Sequence, residues 1–372
     1  MKGGKIVNKI QDYLNKKISS KVFNRNKILT IFIPLVSVLL ALLIGSVLLL
    51  FIEVNPLEAY KYLIFGNFTN IYNIAEIFVK ATPIILTGLS FAFAFRTGLF
   101  NIGGEGQMFA GAMAAAFVGL KTGHLSPFIT ISLCLLAAII AGGIWGMIPG
   151  ILKGIFGSSE IITTIMFNYV ALYFISYLVD KPLRESSGFY PQTDLIGENG
   201  FLPYVVSNTR LHIGFIIAVI ISITVYIILW KTPFGYRLRA VGYNSDGAEY
   251  SGINIRKNII ISLAISGALA GVAGFTEING IHHRLLDNFS KNVGFDGIAA
   301  ALLGNANPVG VVISSILLGM LQTGANSMQR GVGVPANIVS IIQALIIIFV
   351  LGGNAIRPKI ELMLNRKERV LE

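Results

Sequence analysis

The chain has 372 residues, 54% of them hydrophobic and only 13% charged, with a mean hydropathy of +0.73. A soluble domain carries about 25% charged residues, so a water-soluble globular enzyme is excluded and most of the chain is expected in lipid. The formal net charge of +11 gives little reason to invoke nucleic acid, because its Lys and Arg gather on one side of the predicted topology, and the single cysteine, Cys134, can build neither a disulfide framework nor a thiolate zinc site.

Residues 1–27 hold eight Lys or Arg against one acid, Asp12, ahead of an apolar run over 28–52. A secretory signal has an apolar core of only about 7–15 residues, whereas this run is long enough to cross a hydrocarbon layer of about 30 Å. It is expected as a retained first span whose basic leader lies in the cytoplasm, serving orientation and contact with anionic lipid. Residues 55–73 form a polar, aromatic outer connection in which Pro56 opens a short surface helix. The second span, 74–95, returns inward with Pro83 as a kink, and Glu76 and Lys80 are spaced to pair on one helix face.

The stretch 84–120, IILTGLSFAFAFRTGLFNIGGEGQMFAGAMAAAFVGL, joins two hydrophobic segments through a polar, glycine-rich break holding Arg96, Asn101, Glu105 and Gln107. Inside lipid a non-helical backbone is tolerated only where protein or a wet cavity satisfies its amides and carbonyls, so the break is expected to form part of a pathway wall. Asn101, Glu105 and Gln107 are its candidate lining, and an ion pair between Glu105 and Arg96 that holds the break together is the alternative. A third span covers 102–120 and a fourth 128–151; His124, between them, has no second ligand at metal-site spacing. In the short inner loop KGIFGSSE, Ser158 or Ser159 offers a cap and Glu160 an acidic first turn for the fifth span, 161–179. Asn168, in mid-membrane, either ties helices together or joins the path.

Residues 180–212, rich in Pro, Ser and Gly, make the longest outer connection, either a dock for a binding protein or a plain ordered loop. The sixth span, 213–230, stops at Thr232–Pro233 and leads into the most charged internal loop, 231–257, where Ser245, Asp246 and the residues before Gly252 are expected to form one short capped helix on the membrane surface. The seventh span, 259–278, carries the small residues AISGALAGVAG of a tightly packed helix, and the adjacent His282 and His283 suit a rim better than a metal site. The end is irregular: 295–303 is short, 304–308 breaks it, and 309–323 completes a crossing. Two apolar halves about a Gly/Asn turn echo the first break. A tenth span, 338–351, precedes a basic tail. On this topology 20 of the 29 Lys and Arg lie on the cytoplasmic side.

TGLSFAFAFRTGLFNIGGEGQ resembles the signature of the membrane permeases of bacterial ATP-binding-cassette importers, in the branch that includes ribose and branched-chain amino-acid permeases. Its FNIGGEGQ part is similar to the nucleoside importers fed by basic-membrane-protein-type lipoproteins, whereas sugar permeases show a G-I-D-L-S-V-G-S pattern. GSSEIITTIMFNYVA is similar to a second signature of the family, and AEYSG to a looser form of the E-A-A coupling segment that engages the ATPase. The resemblance implies an all-α polytopic membrane protein with about ten transmembrane helices and broken or re-entrant segments. It implies a basic cytoplasmic segment over 1–27, a permease domain over 28–356 and a cytoplasmic tail over 357–372, in the bacterial cell membrane with both termini inside.

The implied function is the permease subunit of an ATP-driven nucleoside importer, not itself an enzyme. Its implied partners are a cytoplasmic ATPase, a second permease subunit, homologous or identical, an extracytoplasmic substrate-binding lipoprotein and the bilayer, with no nucleic acid. Asn101, Glu105, Gln107 and Asn168 are then the expected translocation path, and Ser245, Asp246, Glu249, Ser251 and Gly252 the ATPase-coupling residues. No cofactor is expected in this chain, ATP being used by the partner: it contains no G-x-x-x-x-G-K-[ST] phosphate loop and no H-E-x-x-H. A permease of the same family for a simple sugar such as ribose, or an ion-coupled secondary transporter with a midplane site, are the alternatives. A membrane protein without transport activity would leave the polar breaks as an uncompensated cost.

Overall fold

The computed structural model describes residues 36–290 and 292–371, so the leader and the first part of the expected first span lie outside the described residues. Among the described residues the helices are α1 (Val36–Phe51), α2 (Pro56–Phe65), α3 (Ile71–Phe95), α4 (Gly104–Thr122), α5 (Pro127–Phe156), α6 (Glu160–Asp180), α7 (Gly214–Lys231), α8 (Pro233–Tyr243), α9 (Ser245–Tyr250), α10 (Ile255–Glu277, continued by a π turn to His282), α11 (Val293–Leu303), α12 (Pro308–Val332) and α13 (Ala336–Leu371). By length and apolarity α3, α5, α6, α7, α10 and α12 can each cross a membrane, while α1, α11 and the part of α13 from Asn337 to Gly353 are shorter apolar helices. With α4, these agree with the expected set of about ten membrane segments.

Polar caps set the boundaries. Asn70, Thr232, Asn244 and Asn254 each accept a backbone N–H from the first turn of the helix that follows, opening α3, α8, α9 and α10. Ser159 occupies the cap position of α6 without a capping bond; instead Glu160, in the first turn, holds Lys153 at 2.9 Å.

The described chain falls into two units, one made by its two ends and one by Lys61–Met328. In the first, Tyr60 donates its hydroxyl to the Leu42 carbonyl at 2.6 Å, and Gly45 of α1 lies against Ile342 of α13.

In the second unit α10 is the central post. Gly142 and Gly146 of α5 meet Gly267 and Gly271 of α10 backbone to backbone, and Gly111 of α4 meets Gly271 from another side. Lipid gives helices no hydrophobic reason to pair, so such contact is how they gain dispersion energy, and the expected small-residue face of α10 does this. α3 joins α10 through Ser90–Ser266 at 2.9 Å, and Thr97, just past its end, adds Thr97–Ser262 at 2.8 Å. α11 leans on α3 where Gly297 meets Gly88 and Thr87 donates to the Val293 carbonyl at 3.2 Å.

The connection 180–212 is ordered against the segment after α10. Thr193, Ile196 and Leu202 donate their N–H groups to Leu285, His283 and Asn279 at 2.9, 2.9 and 2.8 Å. Hydrogen bonds from Gln192 and Ser187 hold the Glu185 carboxyl below its usual range, and Ser186 does the same for Asp194. Glu76 takes Arg210 of this connection at 2.6 Å, which corrects the expected pairing with Lys80: the guanidinium reaches the buried carboxylate in a short charge-assisted hydrogen bond.

His212, 2% exposed, closes this connection, its Nδ1 accepting the Gly214 N–H at 3.1 Å with Gly280 against its ring. Burial pushes its pKa down to about 4. The folded chain therefore keeps a neutral imidazole where the unfolded chain takes up a proton. The associated stability is full above about pH 6.5 and is lost as the pH falls to about 4, by on the order of 3 kcal/mol. Thermal unfolding of the detergent-purified protein between pH 7 and pH 4 should show this fall, and His212→Gln should remove its steepest part.

Candidate functional site

The residues 96–103 that follow α3 leave helical geometry because Gly98, at φ +78°, turns the chain against Gly242 of α8, where a Cβ would lie 3.2 Å from the Gly242 Cα. The backbone freed by this turn is bonded side chain by side chain. Asn101 donates to Gln107 Oε1 at 2.8 Å and to Ser266 Oγ at 2.7 Å, and accepts the Gly103 N–H at 2.9 Å. From α6, Asn168 accepts the Gly106 N–H at 2.8 Å and donates to the Ile102 carbonyl at 2.9 Å, while Thr164 Oγ1 accepts the Ile102 N–H at 3.2 Å. The first turn of α4, whose N–H groups have no partner within the helix, is thus satisfied by a neighbouring helix rather than by water.

The two charges of the break take separate partners. Glu105 accepts the Gly294 N–H at 2.5 Å at the start of α11, where a helix N-terminus favours a carboxylate. Arg96 donates to the Asn305 and Ala306 carbonyls at 2.7 and 3.0 Å, in the turn between α11 and α12. Asn305 and Ala306 are left-handed, at φ +54° and +49°, and Arg96 fixes the carbonyls that this costly turn exposes. The two interrupted segments noticed in the sequence are therefore tied to each other, and Glu105 and Arg96 are not tied to one another.

Arg96 and Arg239 of α8 also lie over the Trp230 ring, at 5.1 and 6.0 Å, beside a cavity of about 230 Å³ lined by Phe95, Phe100 and Tyr243. Arg96 thus stands where the break, the α11–α12 turn and the loop after α7 converge.

Asn101, Gln107, Glu105 and Asn168 are 1%, 1%, 7% and 8% exposed within this chain, buried about the break and the first turn of α4. Sequence reasoning missed Thr164, Ser266 and Gly294. Thr164 had a signal, since it lies one helical turn before Asn168 and shares its face; Gly294 had none. Asn168→Leu keeps the number of side-chain heavy atoms but strips partners from the Gly106 N–H and the Ile102 carbonyl. It should cost about 2–5 kcal/mol in thermal unfolding, whereas Tyr169→Leu, at a residue 54% exposed, should change little.

The second expected site occupies α9. Ala248 anchors the helix at 4% exposure, leaving Ser245, Asp246, Glu249 and Ser251 exposed, with Tyr250 98% exposed beside them. Gly252, at φ +79°, ends it, its N–H bonded to the Glu249 carbonyl at 2.9 Å and the Ile253 N–H to Ala248 at 3.0 Å. The cap is Asn244, and the expected single surface helix is a pair, because Thr232 and Pro233 stop α7 and also start α8. Among the described residues no group of three or more His, Cys, Asp or Glu is placed to hold a metal.

Residues 73–351 match the family described as branched-chain amino acid transport system, permease component. The guanosine ABC transporter permease protein NupP of Bacillus subtilis is 42% identical over 332 residues, covering 87% of this chain and 94% of that protein. The nucleoside ABC transporter permease protein NupB of Lactococcus lactis is 34% identical, covering 93% of this chain and 96% of that protein. The glucose ABC transporter permease protein TsgB13 of Haloferax volcanii is 32% identical, with 86% of each covered. No solved structure matches.

Proposed function

Since this chain belongs to the permease component family of branched-chain amino acid transport systems, and is thus a transport subunit rather than an enzyme, we propose that it carries nucleosides inward across the bacterial cell membrane. The observation that carries the substrate class is the 42% identity, over nearly the whole length of both chains, to a permease named for guanosine. In the proposed assembly a cytoplasmic ATPase seats on α9, a second permease completes the pathway, and an extracytoplasmic lipoprotein docks on 180–212. Both termini are cytoplasmic in this reading, which the excess of Lys and Arg at the chain ends and in 231–257 supports.

The geometry supplies a route for the mechanical step. α9 follows directly on α8, α8 touches the break where Gly242 meets Gly98, and Arg96 fastens the break to the α11–α12 turn. A push on α9 is transmitted through packed backbone to the two broken segments without crossing open space. In that role Asn101, Glu105, Gln107 and Asn168 stiffen the pathway wall from behind.

Membrane vesicles holding the assembled transporter should take up labelled guanosine when ATP is supplied on the ATPase side. In a Cys134→Ser background, Leu195→Cys should react with a membrane-impermeant thiol reagent added outside, and Asp246→Cys should not. Uptake of glucose or ribose without any nucleoside would overturn the substrate, and labelling of Asp246→Cys alone would reverse the orientation.

A further inference from the structure

We propose that the cavity between the break and α8 is a binding site for the phosphate of an anionic phospholipid, held by Arg239 and Arg96, with an acyl chain leaving past Phe100. The site stands apart from the nucleoside reading and needs only that the chain lies in a bilayer.

The cavity takes Phe95, Arg96 and Phe100 from the end of α3 and the break, and Arg239 and Tyr243 from α8. Its two charged side chains are both cations, drawn over the same Trp230 ring at 5.1 and 6.0 Å. Each lies within electrostatic reach of the other, and a guanidinium does not shed its proton. Among the described residues neither is in an ion pair. The acids that come next along the chain bond elsewhere, Glu105 with the Gly294 N–H and Asp246 with the Ser245 hydroxyl. From Lys231 to Asn244 the sequence has three Lys or Arg and no acid.

The hydrogen bonds separate the roles of the two arginines. Arg96 uses Nε and Nη2 on the Ala306 and Asn305 carbonyls, so it stands as a fixed charge in the wall. Arg239 Nε is buried and, among the described residues, has no hydrogen-bond partner. A buried donor left unmet is costly, most of all on a charged group, so an acceptor from outside the chain would stabilise it. Phosphate oxygens match the planar fork of a guanidinium, and a bound anion would also offset the repulsion between the two arginines.

Position and shape favour a lipid over a free phosphate. α3 and α7 are each long enough to cross a membrane, and both end here, at Phe95 and Lys231, which puts the cavity at headgroup depth. Trp230 is the kind of amphipathic ring that sits at a membrane–water interface, and basic pockets at that level hold anionic headgroups. At about 230 Å³ the cavity is smaller than the roughly 300–1,000 Å³ of pockets that enclose drug-sized ligands, so it suits a headgroup better than a whole nucleoside. Its rim is aromatic: Phe100, 41% exposed, meets Phe91 and Phe95 edge-on at 5.9 and 5.3 Å, and Tyr243 is 82% exposed. A ligand that carries phosphate and hydrocarbon in one molecule satisfies both the cations and the rings.

The test uses the full chain with Trp145→Phe, which leaves Trp230, beside the arginines, as the sole tryptophan. In phosphatidylcholine vesicles, phosphatidylglycerol brominated on its acyl chain should quench Trp230 at a mole fraction at least ten-fold lower than brominated phosphatidylcholine requires. Arg239→Gln should raise that mole fraction at least ten-fold. Arg237→Gln, at an exposed base of the same helix, should raise it by no more than the about five-fold that one surface cation is worth. Soluble glycerol phosphate should not displace the lipid. In the native chain in detergent, phosphatidylglycerol should raise the melting temperature and phosphatidylcholine should not, with the rise lost in Arg239→Gln. This second measurement keeps the proposal open to refutation if Trp145→Phe misfolds, and its comparison of the two lipids does so if Arg239→Gln misfolds. Equal effects of the two lipids would overturn the site, and so would equal losses in Arg239→Gln and Arg237→Gln, which would mark a diffuse surface attraction. Displacement by glycerol phosphate at concentrations matching the lipid would overturn the lipid and leave a site for a soluble phosphate ester.

Discussion

Gly271→Val should abolish stable insertion of this permease, with little protein recovered as a monodisperse species after solubilisation. At this one position α10 touches two helices: a Cβ on Gly271 would enter the van der Waals shell of the Ala138 carbonyl and come within 3.1 Å of the Gly142 Cα, and Gly111 closes against the Gly271 backbone itself. None of these atoms belongs to a flexible side chain, so relief requires α4 and α5 to move apart from α10. Overpacking in a soluble core costs about 1–3 kcal/mol, and here the shift would also break the polar bonds that depend on the same spacing, such as Ser266 to Asn101 and Ser90. We expect more than about 3 kcal/mol, against a typical total stability of about 5–15 kcal/mol. Gly143→Ala is the control: its neighbour Gly142 is equally close-packed, yet a Cβ on Gly143 would lie 3.4 Å from the Ala264 carbonyl, an ordinary contact. Size-exclusion profiles and melting temperatures of the two variants decide the matter, and a well-folded Gly271→Val protein would show that the seam is not closed as described.

Glu249→Lys should insert normally and lose ATP-driven transport by at least 100-fold. Glu249 is exposed on α9 and has no structural task there, so in the isolated chain the exchange should stay within about 0.5 kcal/mol. Across a docked interface a like-charge contact costs several kcal/mol, and each ~1.4 kcal/mol is ten-fold in association. Gly252→Val acts differently: nothing lies within 4 Å of its would-be Cβ, so the effect comes only from forcing a β-branched residue to φ +79° and unwinding the end of α9. Co-purification of the ATPase with each variant, together with ligand-stimulated hydrolysis, is the measurement. Both variants transporting at native rates with the ATPase bound would remove α9 from the coupling route.

Much of the membrane architecture was legible because lipid imposes a one-dimensional rule. A segment either satisfies its own backbone and is apolar, or it does not cross, and so the spans from α3 to α10 fell within a few residues of their sequence-derived bounds. The short helix before Gly252 and the close-packing face of α10 were also readable, since cap chemistry and small-residue spacing are local properties.

What the sequence left open was which distant group completes each local need. The glycine-rich break announced unpaired amides, but only the folded chain brings Asn168 to Gly106, 62 residues away, Gly294 to Glu105, 189 away, and Asn305 to Arg96, 209 away. The same holds for Glu76, whose helix neighbour Lys80 was the evident partner and whose observed partner, Arg210, lies 134 residues on. The sequence by itself determined the membrane segments, the break and the surface helix, because each follows from residues within a turn or two of one another. The pairing of the two broken segments was decided only by tertiary structure, because a hydrogen bond depends on distance in space, whatever the separation along the chain.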